Sequence, residues 1–263
     1  MKAEIVKNDA SNVLKTDEAI ENNFNKNNSK FMAKKLNKGV KESVDSLKKV
    51  SNFELYVWTF FLGCFLGYVV EVGYAYIQFG YFINKQGMIY GPFNQVYGFG
   101  AVLFTLCLYK FMKCKSYILF IAGSLIGGLF EYLCSYLQEV MFKSESWSYG
   151  DYAINFNGRT NPIHAMFWGI LGIFFFRYVF PYMLRLILLI PKKVRAPLTW
   201  LVLVFMVLNM TISALAVYRQ SQRVNNIPAS NAFEEFLDKH YTDEKLKKVY
   251  TGMTFHPDES ENN

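Results

Sequence analysis

The chain has few of the residues and motifs that mark soluble enzymes and metal proteins. Its 263 residues include only three histidines and four cysteines, and none forms a CxxC pair or a Cys/His cluster with zinc-site spacing. The GxxxxGKS/T phosphate loop and the GxSxG and HExxH motifs are also absent. We therefore expect no metal, no cofactor and no enzyme activity, and no ATP hydrolysis through a phosphate loop of this chain.

Acidic residues are the scarcer charge, with 21 Asp and Glu against 28 Lys and Arg and a net charge of +7. The basic residues concentrate before the first apolar block and in two short loops, at 110–115 and 185–195. Such an excess is typical of the cytoplasmic loops of membrane proteins, and anionic lipid can balance it. We therefore expect no nucleic-acid partner, a cytoplasmic N-terminus and an extracytoplasmic C-terminus.

Long polar stretches are missing from the centre of the chain, where apolar residues come in blocks. A helix needs about 20 apolar residues to cross a lipid bilayer. Five blocks qualify, at 54–79, 93–112, 117–140, 162–184 and 198–218. They predict an all-α fold, a polytopic membrane helix bundle with five transmembrane helices over residues 53–220. The first block is long enough to span, so we expect no cleaved signal peptide.

Polar segments flank this domain on both sides. We expect residues 1–52 to form a basic cytoplasmic tail and residues 1–29 of it to be disordered. Residues 30–50 are either an amphipathic helix on the membrane surface or a solvated tail. Residues 221–263 predict an extracytoplasmic tail with one or two short helices.

Two glutamates, Glu71 and Glu131, lie inside apolar blocks, in matched patterns offset by 60 residues. Each follows two glycines at four-residue spacing, and residues four apart share a helix face. The glycines are Gly63, Gly67, Gly123 and Gly127. An acid inside a membrane helix costs about 2.5–3.5 kcal/mol. We therefore interpret the pair as one shared intramembrane site; the alternative is that each glutamate only bonds a neighbouring helix or reaches outward.

A second pattern follows each glutamate. Gly87 and Gly98 are eleven residues apart, as are Gly158 and Gly169, and an aromatic residue precedes the second glycine of each pair. Together with the glutamate patterns, this predicts a two-helix unit used twice in the same orientation, a parallel internal repeat.

Other polar residues near these patterns are candidates for a substrate or proton pathway. Arg159 is a candidate counter-ion for an acid, and His164 a candidate proton relay; the alternatives are an interfacial arginine and a packing histidine. Pro92 and Pro162 indicate either the first turn of a span or a re-entrant loop. In a re-entrant loop, hydrogen bonds would come from Tyr90, Asn94, Tyr97 and Asn157.

Two segments resemble a known family: Gly87–Ala101 (GMIYGPFNQVYGFGA) and Trp147–Gly172, which contains INFNGR and FWGILG. They are similar to the putative ABC-transporter type IV (CmpB-like) membrane proteins. The resemblance implies a multi-pass permease of the bacterial cell membrane, with its ATPase on a separate subunit. The chain departs from the family pattern at Asn94-Gln95, where members often have Cys-Pro, and at Thr160–Pro162.

These observations favour a transport permease that moves a small solute or lipid past Glu71, Glu131 and Arg159. Two alternatives stay open. One is a membrane-embedded enzyme that acts on lipid or peptide, with the glutamates as acid and base. The other is a regulatory or interaction subunit whose small-residue stripes dock partner helices. The sequence also leaves a homo-oligomer open.

Overall fold

The computed structural model describes residues 46–47, 49–109, 111 and 114–256. The predicted disorder over 1–29, and most of the predicted helix or tail over 30–50, lie outside these residues. The membrane domain contains α1 (Asn52–Phe79), α2 (Gln95–Leu108), α3 (Ser116–Phe142), α4 (Pro162–Phe174), a π-helical turn (Phe175–Val179), α5 (Phe180–Leu189) and α6 (Lys192–Val224). The tail contains α7 (Ala232–His240) and α8 (Asp243–Val249), and β1 (Ser144–Glu145) pairs antiparallel with β2 (Thr254–Phe255).

Among the described residues, four helical segments are long and apolar enough to cross a membrane: α1, α3, the continuous helix Pro162–Leu189 and α6. The second predicted span differs. Its α-helix, α2, has 14 residues, which is about 21 Å of helix, less than the hydrocarbon thickness of about 30 Å. Within the described residues, four helices instead of the predicted five are therefore long enough to span, because Asn94 caps the start of α2 and the α-helix ends at Leu108.

Residues 80–94 descend into the bundle instead of crossing its end as a surface loop. The backbone N–H of Asn94 donates to the carbonyl of Cys64 at 2.9 Å, and Cys64 lies about 22 Å below the end of α1 by helical rise. Met88 is buried against Cys64 and Met206. An irregular chain at this depth is tolerated where protein surrounds it.

The polar backbone of this re-entrant segment is satisfied by α6. The side-chain oxygen of Asn209 accepts from the Tyr90 N–H at 3.1 Å, and its amide donates to the Tyr90 carbonyl at 2.7 Å. The hydroxyl of Ser213 accepts from the Ile89 N–H at 3.0 Å. The last apolar block is thus more than a lipid-facing helix, because it holds the inserted loop in place.

The re-entrant segment, the connection after α3 and the C-terminal tail meet at one end of the bundle. The Tyr90 and Tyr241 hydroxyls are 2.7 Å apart, and the His256 N–H donates to the Lys143 carbonyl at 2.8 Å. At the opposite end, Arg195 of α6 is buried beside Glu54 of α1, with a nitrogen–oxygen distance of 3.2 Å. The first two contacts join the tail to the bundle, and the third holds the start of α6 against α1.

The helix pairs α1–α2 and α3–α4 approach closely at glycines. A side chain at Gly98 would place its Cβ 2.9 Å from the Phe60 carbonyl oxygen, and one at Gly169 would lie 2.6 Å from the Phe120 carbonyl oxygen. Both separations are shorter than real Cβ contacts allow. The hydrogen at each position lets two helix backbones touch.

Candidate intramembrane acidic site

Glu71 of α1 is bonded to Tyr97 of α2. The Tyr97 hydroxyl donates to the Glu71 carboxylate at 2.6 Å. Gly67, one helical turn before the glutamate, makes room for this ring: a Cβ at Gly67 would lie 2.1 Å from the Tyr97 Cβ. The glycine-glutamate spacing therefore positions an aromatic donor beside the acid.

Glu131 of α3 is only 7% exposed and accepts several hydrogen bonds. The Tyr149 hydroxyl donates to one carboxylate oxygen at 2.9 Å, and the Thr160 hydroxyl donates to the other at 2.6 Å. Trp168 of α4 packs against Gly127, one helical turn before Glu131. Gly127 makes room for the indole, since a Cβ there would lie 2.3 Å from the Trp168 Cβ.

The two halves meet at their aromatic rings. The ring centres of Tyr97 and Trp168 are 5.9 Å apart, a separation typical of interacting aromatic pairs. The fold thus places both predicted glutamates in one cluster, which we call the acid–aromatic cluster: Glu71, Tyr97, Trp168, Glu131, Tyr149 and Thr160. None of the ion pairs among the described residues includes either glutamate.

Arg159, the candidate counter-ion for an acid, lies beside a third acid and not beside Glu71 or Glu131. Its guanidinium pairs with Glu139, near the end of α3, and lies 5.6 and 5.4 Å from the ring centres of Tyr132 and Tyr136. The turn before α4 places Arg159 beside Glu139, which lies about two helical turns after Glu131 on α3. It therefore compensates Glu139 at the rim of the bundle.

His164 borders the cluster without bonding a glutamate. Its ring centre is 4.1 Å from that of Tyr149, and its Nδ1 is 3.0 Å from the Asn161 side-chain oxygen. Because Tyr149 donates to Glu131, the imidazole is one side chain removed from the carboxylate. Its contact with Tyr149 is ring packing.

The other predicted pathway residues are divided between cluster and loops. Tyr97 is in the cluster, whereas Asn94 caps α2 through the Val96 N–H at 3.1 Å. Tyr90 is held by α6 and the tail. Asn157, at a positive φ of 53°, donates to the Tyr132 hydroxyl at 3.1 Å. Three of these four therefore shape the loops instead of contacting the glutamates.

Three residues of the acid–aromatic cluster are not among the site residues that the sequence predicts. Tyr149 lies in a loop whose aromatic residues suit an interfacial cover, and Thr160 stands out only as a departure from the family pattern. Trp168 does carry a signal, because it precedes Gly169 as Tyr97 precedes Gly98. Within the described part of the chain, no group of three or more His, Cys, Asp or Glu residues is arranged to hold a metal ion.

Comparison with known proteins supports the resemblance seen in the sequence. A family model described as putative ABC-transporter type IV matches residues 58–214, which contain the whole acid–aromatic cluster. No curated protein and no solved structure matches the chain. The match covers more than half of the sequence, so the chain belongs to the putative ABC-transporter type IV family of membrane proteins.

Proposed function

We propose that this chain is a permease subunit that moves a small solute or a lipid through the site formed by Glu71 and Glu131. One observation carries the proposal. Both carboxylates belong to the acid–aromatic cluster, and neither takes part in an ion pair among the described residues. Intramembrane acids of this kind mark substrate, ion or proton pathways.

The chemistry of the cluster suits a cationic group or a proton. Hydroxyl donors from Tyr97, Tyr149 and Thr160 orient the carboxylates without neutralising them. Aromatic faces attract cations, most strongly the indole face, and Trp168 contacts both halves of the cluster. A positively charged part of the solute, or a transferred proton, would supply the missing charge.

The shape of the bundle supports transport. Transporters often build their sites where helices are interrupted at membrane depth. Here α2 starts halfway along α1, after the inserted segment 80–94. Matched glycine contacts in α1–α2 and α3–α4 support the further proposal that the two pairs are copies of one unit, with the acidic site between them.

The proposal also includes an energy source, suggested by the family description, and an orientation, suggested by the basic residues. The family description supports a separate ATPase subunit as partner. Lys192, Lys193 and Arg195 begin α6 at the end opposite the tail, which supports a cytoplasmic location for that end and an extracytoplasmic tail. Reporter domains fused to the C-terminus, one active only in the cytoplasm and one only outside, would test this orientation.

The interaction-subunit alternative loses its main argument. It required the small-residue stripes to be free for partner helices, but Gly67 faces Tyr97 and Gly127 faces Trp168 of the same chain. Those stripes are filled from within. A permease remains the better proposal because it uses the two intramembrane acids, which an interaction surface would leave without a role.

The test compares Glu71→Gln and Glu131→Gln with the wild-type chain in phospholipid vesicles, together with the proposed ATPase. Glu244→Gln, on the exposed surface of α8, is the matched control. Two readouts cover the solute and lipid versions: uptake of a panel of radiolabelled organic and inorganic cations, and translocation of a fluorescent phospholipid. We expect both cluster variants to insert and purify normally but to lose transport, while the control keeps it. Transport at the wild-type rate in both cluster variants would overturn the proposal.

A further inference from the structure

The tail helix α7 carries an aromatic face that the fold leaves uncovered. Phe233 and Phe236 are 50% and 45% exposed, and the His240 ring lies stacked on Phe236 with 4.2 Å between ring centres. Residues spaced three, four and seven apart share one side of a helix. Phe233, Phe236 and His240 therefore form one continuous strip, which we call the aromatic strip.

The level of α7 along the bundle is set by its contacts with α6. Leu237 is buried against Ala216, in the last apolar turn of α6. Asp238 accepts hydrogen bonds from Arg219, the first charged residue after that turn, at 2.9 Å. Helix α7 thus lies where α6 changes from apolar to charged sequence, which is where a spanning helix leaves the hydrocarbon.

The same contacts fix which side of α7 faces the membrane. Leu237 touches Ala216, whereas Asp238 also bonds Arg223, which lies about 10 Å further from the hydrocarbon along α6 by helical rise. The Leu237 side of α7 is therefore the membrane side, and the Asp238 side is the water side.

The aromatic strip lies on the membrane side. Phe233 is four residues before Leu237 and His240 is three after it, so both share its side of the helix. Glu235 is three residues before Asp238 and shares the water side. This distribution of aromatic and charged residues is typical of helices that lie in a membrane interface.

We propose that the aromatic strip inserts into the boundary between lipid headgroups and acyl chains, so that α7 anchors the tail to the bilayer beside the bundle. Tyr218, the residue just before Arg219 in α6, is 50% exposed at the same level. Tyr prefers this interface because its ring is apolar and its hydroxyl is polar, and Phe commonly forms the apolar face of helices that lie in it.

The experiment places nitroxide labels at single cysteines on α7 in the full chain, with the four native cysteines replaced by serine. The vesicles contain phosphatidylcholine and phosphatidylglycerol. Positions 233 and 236 probe the aromatic strip, and positions 235 and 239 are matched controls on the charged side. Collision of each label with oxygen, which is enriched in lipid, is compared with collision with a water-soluble nickel chelate. We expect oxygen to dominate at 233 and 236, and the nickel chelate to dominate at 235 and 239.

Two results would overturn the proposal. Equal nickel accessibility at all four positions would place the strip in water. Low accessibility to both reagents at 233 and 236 would mean that protein, such as a second copy of the chain, covers the strip. If the serine background does not insert, Phe236→Trp and Glu235→Trp in the native background replace the labels. Brominated phospholipid should then reduce the added fluorescence of Trp at 236 and spare that at 235, and the reverse pattern counts against insertion.

Discussion

The substitution Gly67→Ala tests whether the close packing of α1 against α2 positions Tyr97 in the acidic site. In Gly67→Ala, the new Cβ meets the Tyr97 Cβ at 2.1 Å and the Cγ at 2.3 Å. These atoms are fixed near the backbone, so a rotamer change of the ring does not relieve the overlap. Helices α1 and α2 have to separate, and the hydroxyl of Tyr97 moves away from Glu71.

The size of the effect can be estimated against a matched control. Overpacking a well-packed position costs about 1–3 kcal/mol, and losing one hydrogen bond between membrane helices costs about 0.6 kcal/mol. Gly73 lies on the same helix, and a Cβ added there would meet no atom within 4 Å, so Gly73→Ala should gain up to about 1 kcal/mol from helix propensity alone. Gly67→Ala shares this propensity gain, so we expect it to be less stable than Gly73→Ala by about 1.6–3.6 kcal/mol, from overpacking and the lost hydrogen bond.

The assay is unfolding by sodium dodecyl sulfate from mixed micelles, followed by tryptophan fluorescence, with the free energy of unfolding from the transition. Tyr97→Phe in both the wild-type and Gly67→Ala backgrounds separates the two contributions. Tyr97→Phe should lower the free energy of unfolding by about 0.6 kcal/mol in the wild-type background. It should have no effect in the Gly67→Ala background, where the hydrogen bond is already lost. If Gly67→Ala is as stable as Gly73→Ala, the described contact between α1 and α2 is wrong.

Three further predictions concern contacts of α6 with the re-entrant segment, with α1 and with the tail. Asn209→Leu should lower the free energy of unfolding by about 1–3 kcal/mol, because it leaves the Tyr90 backbone unpaired, whereas Thr211→Val, exposed on the same helix, should have little effect; the same unfolding assay tests both. Arg195→Ala should cost about 3–5 kcal/mol because it leaves Glu54 buried without its cation, and adding Glu54→Gln should restore part of the loss. Hydrogen bonds from Arg219 hold the pKa of Asp238 below its usual range, so tail docking should persist at neutral pH and weaken only as pH falls below about 4. Hydrogen exchange of the tail measures this, and Asp238→Asn should remove the pH dependence.

The parts of the fold that were predictable are those that rest on local composition. Blocks of apolar residues predict α1, α3 and α6, because a span of about 20 apolar residues is needed whatever the neighbours are. In the block at 93–112, the α-helix covers Gln95–Leu108. Its start is set by Asn94, whose backbone N–H bonds the Cys64 carbonyl, and this contact depends on how two distant segments pack.

The same distinction applies to the site. Glu71 and Glu131 stand out because charge is rare in apolar helices, and Tyr97 stands out by its place before a glycine. The partner Tyr149 is 18 residues from Glu131, in a loop whose path has no periodic signal. The sequence predicts Arg159 beside the glutamates because charge alone cannot tell Glu131 from Glu139 two turns later; the turn before α4 decides between them.

The most direct test of the shared acidic site is the titration of the Glu131 carboxyl, followed by its infrared C=O stretch in the reconstituted chain. The band is assigned by its loss in Glu131→Gln. If both acids occupy one cluster, Glu71→Gln changes the midpoint at which Glu131 titrates, whereas the distant Glu244→Gln leaves it unchanged. An identical Glu131 titration in wild type and Glu71→Gln would contradict the account, because two carboxylates in one low-dielectric site cannot titrate independently.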